Sequence, residues 1–127
     1  MAKILIVDDS EMLRVEIKDL LQGMGHEVIE GKDGTDGVRQ AEASQPLDMI
    51  ISDYNMPGLD GLSMLKKIRN IPGLESTPVA MLTTESSPEL RTMGKSLGVV
   101  VWCIKPIDND QFQKTISIVL EKFSKAS

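Results

Sequence analysis

Four short apolar runs, each ending abruptly on polar residues, are separated by stretches of helical periodicity, and this alternation constrains the fold more than any other feature of the chain. Residues 4–7 (ILIV) stop on Asp8-Asp9, residues 49–52 (MIIS) on Asp53, residues 79–82 (VAML) on Thr83-Thr84, and residues 99–104 (VVVWCI) on Lys105-Pro106. Runs that are apolar at consecutive positions have no face to give to water, so they read as strands buried on both sides. A shorter strand, residues 26–30, follows the first helical stretch.

The intervening segments carry their own start and stop signals. Ser10, Asp33, Asp60, the Ser86-Ser87-Pro88 triplet and Asp108 each precede a helical stripe and offer an acceptor to the free N–H groups of a first turn. The stripes are Leu13, Ile17, Leu20, Leu21 and Met24; Val38 and Ala41; Leu62, Leu65 and Ile68, within residues 61–70; Leu90, Met93 and Leu97; and Phe112, Ile116, Val119, Leu120 and Phe123. Gly23 and Gly25, Ser44-Gln45-Pro46, Ile71-Pro72-Gly73 and Gly98 close them. Between Asp53 and the third helix, Pro57-Gly58 fits a type II turn.

Five strands alternating with five helices demand a parallel sheet covered on both faces and joined by right-handed crossovers. The expected architecture is an α/β, flavodoxin-like (βα)5 three-layer sandwich with strand order 2-1-3-4-5, one domain over residues 1–127. A net charge of −5 argues against nucleic acid as a direct partner, since phosphate contacts need clustered Lys and Arg. The single cysteine, Cys103, cannot form an internal disulfide, suits a reducing compartment and reads as a small buried hydrophobe. No apolar run approaches the roughly 18 residues of a membrane span and no signal-like start is present, which makes the cytoplasm the expected location. His26 carries no motif and reads as exposed structure, while Asp33, Asp36 and Asp60 read as caps or solvated acids.

Parallel strands share one carboxyl edge, so Asp8, Asp9, Asp53, Thr83 and Lys105 are expected to converge there. Three carboxylates about 4 Å apart repel by roughly 4 kcal/mol per pair at an effective dielectric of about 20, so the cluster calls for a cation. Hard oxygen donors in small number suit Mg²⁺, or Mn²⁺, with some positions left for water and a phosphate. Lys105 supplies a point charge for phosphate oxygen and Thr83 a hydroxyl donor. A carboxylate, a metal, a lysine and a hydroxyl together describe phosphoryl transfer to an aspartate.

The stretches ILIVDDS, IISDYNMPGLDGLSMLKKIR, VAMLTTE and CIKP resemble the receiver domain of two-component response regulators, most closely the single-domain chemotaxis (CheY) type, over essentially the whole chain. The resemblance implies that Asp53 is the phosphoacceptor, that Asp9 holds the metal directly and Asp8 partly through water, and that the backbone carbonyl of Asn55 completes the protein ligands. It implies that Thr83 and Lys105 hold phosphoryl oxygens, that Lys105-Pro106 is a cis peptide, and that Asn55, Thr84 and Glu85 surround the water that later removes the phosphate. Trp102 stands where the family usually carries Tyr or Phe as a switch residue, and its larger ring resists turning inward. Thr84 replaces the usual small residue, which predicts slower loss of phosphate, and Ile107 replaces the usual Phe.

The implied function is that of a stand-alone response regulator, not an enzyme acting on other molecules, although it assists its own phosphorylation and dephosphorylation. The expected partners are a CheA-like histidine kinase and an output protein, such as a flagellar motor switch protein, bound by the fourth helix, fifth strand and fifth helix. A phosphatase is a further possible partner, and the chain is expected to end without an effector domain. Three alternatives stay open at this point: a phosphate shuttle or sink in a phosphorelay, a receiver cut from a longer regulator, and an enzyme of similar topology. For the last, an FMN protein would need a hydroxyl-rich first loop, and a dehalogenase-type phosphatase an acid two residues beyond its nucleophile that is aspartate; Glu11 holds that position relative to Asp9.

Overall fold

The computed structural model describes residues 1–123, so the last four residues of the expected domain lie outside it. Along the chain run β1 (Lys3–Val7), α1 (Glu11–Gly23), β2 (Glu27–Gly31), α2 (Gly34–Ala43), β3 (Met49–Ser52), α3 (Gly61–Arg69), β4 (Val79–Thr83), α4 (Pro88–Ser96), β5 (Val99–Ile104) and α5 (Asn109–Lys122). The strands form one parallel sheet of order β2-β1-β3-β4-β5, as the alternation predicts.

Period-two geometry explains the two cores. Ile4, Ile6, Met49, Ile51, Ala80 and Leu82 pack with Ile17 and Leu21 of α1 and with Phe112, Ile116 and Val119 of α5. Leu5, Val7, Ile50, Val79 and Met81 pack with Ala41 of α2, with Leu62, Met64, Leu65 and Ile68 of α3, and with Leu90 and Leu97 on and beside α4. The central strands are therefore sealed on both faces, which is why their sequences are continuously apolar.

All five expected caps form. Ser10, Asp33, Asp60, Ser87 and Asp108 accept from the backbone N–H groups of Leu13, Asp36, Ser63, Leu90 and Gln111, and Pro88 opens α4. Gly58 has φ +78°, as the second central residue of a type II turn requires.

Several expectations need correction. The edge strands are not sealed: Val100 and Ile104 of β5 are 39 % and 43 % exposed, because nothing lies beyond β5 in the sheet. Strand β2 starts and ends one residue later than expected. Asp36 is neither cap nor solvated; it is buried, and its carboxylate accepts from the Lys32 N–H, Arg39 and Gln40. His26 is partly buried, and its Nδ1 accepts the Ala2 N–H at 3.0 Å. Cys103 is only half-buried, and that burial pushes its thiol pKa up. Phe123 lies one residue beyond α5, as its C-cap, and is 39 % exposed rather than part of the buried face. Among the described residues, no helix is long and apolar enough to cross a membrane.

Candidate functional site: an acidic pocket at the sheet's carboxyl edge

The acids arrive by the sheet register. Val7 pairs with Ser52 across β1 and β3, so the next residues, Asp8 and Asp53, leave the sheet side by side. The Asp53 N–H donates to the Val7 carbonyl at 3.0 Å, extending the ladder to Asp53 itself. From β5, the Lys105 N–H donates to the Thr83 carbonyl at 3.0 Å and carries the lysine to the same edge. Carboxylate oxygens of Asp8, Asp9 and Asp53 lie within 4.8 Å of one another. Asp8 and Asp53 are buried and Asp9 is exposed, so the cluster is open on one side.

Lys105 closes the other side. Its Nζ donates to Asp8 Oδ2 at 2.9 Å and to Asp53 Oδ2 at 2.8 Å, and its side chain is only 20 % exposed. Burial pulls the ammonium's pKa down, but the hydrogen bonds and charges of Asp53 and Asp8 outweigh that pull and hold it above the ordinary lysine value. Burial dominates at Asp8, raising its carboxyl against the opposing pull of the Ser10 N–H and Lys105, while the Asp53 charge adds to the rise. A single ammonium thus leaves three converging acids under-compensated, and a small oxygen-seeking cation fits the donor set.

Backbone donors fix the carboxylates. Asp53 Oδ1 accepts from the N–H groups of Tyr54 at 2.6 Å and Asn55 at 3.3 Å, and Asp8 Oδ1 accepts from Ser10 at 2.9 Å. Behind Asp53, the Gly61 N–H donates to the Tyr54 carbonyl at 2.8 Å, and a Cβ on Gly61 would overlap the Asp53 carbonyl oxygen. Gly61 is therefore a site residue that the sequence reading missed; it is legible there only as the first residue after a cap.

The residues expected around the pocket fall into two groups. Thr83 is fully buried, and its Oγ1 accepts the Glu85 N–H at 3.3 Å. Asn55 Nδ2 donates to Glu85 Oε1 at 3.0 Å, while Trp102 Nε1 donates to the Glu85 carbonyl at 2.6 Å. Asn55, Thr83, Glu85 and Trp102 are thus joined. Thr84 is exposed and stands apart, on a groove of about 390 Å³ shared with Leu13, Glu16, Lys105, Pro106 and Ile107. The Lys105-Pro106 peptide is cis as the resemblance implies, and Gln45-Pro46, for which no isomer was anticipated, is cis as well.

Doubly wound topology with a fixed carboxylate, two further acids and a lysine at the strand ends defines the class of proteins that handle phosphate at a sheet's carboxyl edge. Within that class, residues 4–117 match the response regulator receiver domain, and the chain belongs to that family. It is 34 % identical over 120 residues to Protein PilH of Pseudomonas aeruginosa, covering 94 % of this chain and 98 % of that one. The solved chemotaxis response regulator CheY4 of Vibrio cholerae superimposes with a TM-score of 0.88 at 39 % identity, over 94 % of this chain and 98 % of that one. The receiver domain of the P. aeruginosa sensor histidine kinase PA1611, solved with a magnesium ion coordinated in its active-site cleft, superimposes with a TM-score of 0.83 at 28 % identity and the same coverage. Membership in this family sets aside the FMN-protein and phosphatase alternatives.

Proposed function

We propose that residues 1–127 form a single receiver domain acting as a phosphorylation-activated switch in a chemotaxis-type two-component pathway, with Asp53 as phosphoacceptor. The observation that carries this reading is the Lys105 ammonium, 2.9 Å from Asp8 and 2.8 Å from Asp53 in an acidic pocket. A cation held there offsets the charge of an incoming phosphoryl group and leaves a buried carboxylate as the nucleophile. A carboxylate oxygen of Asp53 attacks phosphorus and the P–N bond of a kinase phosphohistidine breaks. The electron pair stays on the imidazole, and an acyl phosphate forms on Asp53.

The residues that would hold Mg²⁺, or Mn²⁺, are Asp8, Asp9, Asp53 and the Asn55 backbone carbonyl; the bound ion neutralises acids and phosphoryl oxygens together. The Tyr54 and Asn55 N–H groups keep the Asp53 carboxylate from turning. Thr83 donates its hydroxyl to a phosphoryl oxygen. In a separate, later step water attacks phosphorus past Asn55, Thr84 and Glu85, the P–O bond to Asp53 breaks, and inorganic phosphate leaves with the Asp53 carboxylate restored.

The chemistry is confined to the chain's own aspartate, and the output is binding in the cytoplasm. A groove of about 620 Å³ runs along β5 between α4 and α5, with Arg91, Lys95 and Lys122 beside Val100 and Ile118. Three cations over exposed apolar side chains support an effector segment that is acidic and apolar. The direct test is incubation with acetyl phosphate and Mg²⁺. Label acid-stable and base-labile on Asp53, and absent from Asp53→Asn, is expected; label persisting in Asp53→Asn refutes the assignment. Capture of a partner only in the presence of beryllofluoride and Mg²⁺ tests the output.

A further inference from the structure

Among the described residues, Arg14 is the only lysine or arginine that is buried, at 8 % exposure. It lies on the inward face of α1 with Ile17 and Leu21, where an apolar residue is expected. Its Nη1 donates to the backbone carbonyl of Asp8 at 2.6 Å, its Nε donates to Glu30 Oε1 at 3.2 Å, and Lys18 holds the other Glu30 oxygen at 3.3 Å. A line of alternating charges therefore begins at the surface and ends on the peptide that joins Asp8 to Asp9.

We propose that Arg14 is a positioning residue of the acidic site, fixing the Asp8-Asp9 peptide so that both carboxylates are held where a divalent cation needs them. This rests on the reading of the site as a Mg²⁺-dependent phosphoacceptor. Asp8 is otherwise held on its N–H by the Gly31 carbonyl and on its side chain by the Ser10 N–H and Lys105. None of these contacts touches the peptide leading to Asp9. The Arg14 bond is the only hydrogen bond to that peptide among the described residues. Asp9 is exposed and beyond the strand ladder, so the Arg14 bond fixes the peptide on its N-terminal side while the Ser10 N–H, held by Asp8 Oδ1, fixes the other.

The sign of one measurement separates positioning from plain charge. A cation beside the acids repels Mg²⁺, so as a charge alone Arg14 would weaken binding, and its removal would tighten it. As a positioning residue its removal weakens binding, by the roughly 10- to 100-fold typical when a group orienting a metal ligand is lost. The experiment is calorimetric titration of the full chain with MgCl₂ at fixed ionic strength, comparing the unsubstituted protein with Arg14→Met, Arg14→Lys and Arg39→Met. Circular dichroism checks that each is folded. Arg14→Met is expected to raise the Mg²⁺ Kd about tenfold. Arg14→Lys keeps the charge but loses the fork that serves Asp8 and Glu30 together, so it raises the Kd too and carries the test if Arg14→Met does not fold. Arg39→Met, which removes a cation paired with Asp36 on α2 and in contact with none of the three acids, leaves the Kd unchanged. An unchanged or lowered Kd in the folded Arg14 variants overturns the inference alone. Absence of Mg²⁺ binding by the unsubstituted chain overturns the phosphoacceptor reading and the inference with it.

Discussion

Substituting Gly61 by alanine tests whether the backbone behind Asp53 sets the pocket. Gly61 is the first residue of α3, and it is not among the glycines with positive φ, so alanine meets no conformational penalty there. The cost is contact: the new methyl overlaps the Asp53 carbonyl oxygen and lies 3.1 Å from both the Asp53 carbonyl carbon and Tyr54 Cα. Restoring an ordinary C···O approach requires the two segments to part by about 1 Å. The obstacle is backbone on both sides, so no side chain can swing away. Overpacking of this kind costs about 1–3 kcal/mol, and replacing glycine in a helix returns at most about 1 kcal/mol, for a net loss near 1–2 kcal/mol. With a urea m-value of about 2 kcal/mol/M, the unfolding midpoint falls by roughly 0.5–1 M at unchanged m. The displaced Asp53 also leaves its place beside Lys105, and under the proposed function a misplacement of about 1 Å lowers the rate of phosphorylation by acetyl phosphate about 100-fold. Urea unfolding and the phosphorylation time course are read on one preparation. A midpoint and a rate both equal to those of the unsubstituted chain would refute the reasoning.

Other substitutions probe separate parts of the site. Thr84→Ala removes bulk from the groove that Thr84 shares with Lys105, and under the proposed function it speeds loss of label from phosphorylated Asp53, followed by phosphate release. Trp102→Phe keeps a ring but removes the indole N–H from the Glu85 carbonyl, and is expected to cost about 1 kcal/mol and to raise amide exchange around Glu85, seen by mass spectrometry. At Asp36, burial alone would raise the carboxyl pKa, but the Lys32 N–H, Arg39 and Gln40 together hold it below the ordinary 3.8. A depressed folded-state pKa contributes stability above that ordinary value and loses it as pH falls through the folded one. The unsubstituted chain therefore loses more stability than Asp36→Asn as pH drops from about 5 toward 3, checked by thermal unfolding across that range.

What the sequence discloses follows from what each residue must do locally. Caps were legible because Ser, Asp and Pro act within one turn, and all five formed where expected. Convergence of Asp8, Asp53 and Lys105 was legible because parallel order leaves no other place for strand ends. Arg14 and Gly61 were missed because their roles depend on the Asp8 carbonyl and the Asp53 backbone, which only the fold brings close; Asp36 was misread because its partners Lys32, Arg39 and Gln40 are local while its burial comes from the fold. Arg14 did leave a trace, as a charged residue at helical spacing from Ile17 and Leu21 on an otherwise apolar stripe. Gly61 left none, since a glycine after a cap has many ordinary explanations.

The joining of Glu85 to three partners bears on how the pocket reaches the β5 face. Its carboxylate accepts from Asn55, two residues past Asp53; its N–H donates to Thr83 Oγ1; its carbonyl accepts from Trp102. A hydroxyl that accepts from Glu85 still has its own proton to donate, so Thr83 can turn that proton toward Asp53 without giving up Glu85. Under the proposed function, movement of Thr83 toward a phosphoryl group on Asp53 would therefore draw on the Glu85 N–H, and with it the carbonyl that accepts from the indole. Room for the indole is provided from the other side, because a Cβ on Gly94 of α4 would lie 3.0 Å from Trp102 Cζ3. The ring is half-buried, and the helix it packs against carries glycine at the contact. Gly94→Ala removes that room, so under the proposed function it separates phosphorylation from output. Label on Asp53 is retained while beryllofluoride-dependent capture of the partner weakens; capture unchanged from the unsubstituted chain would show that the indole is not part of the path.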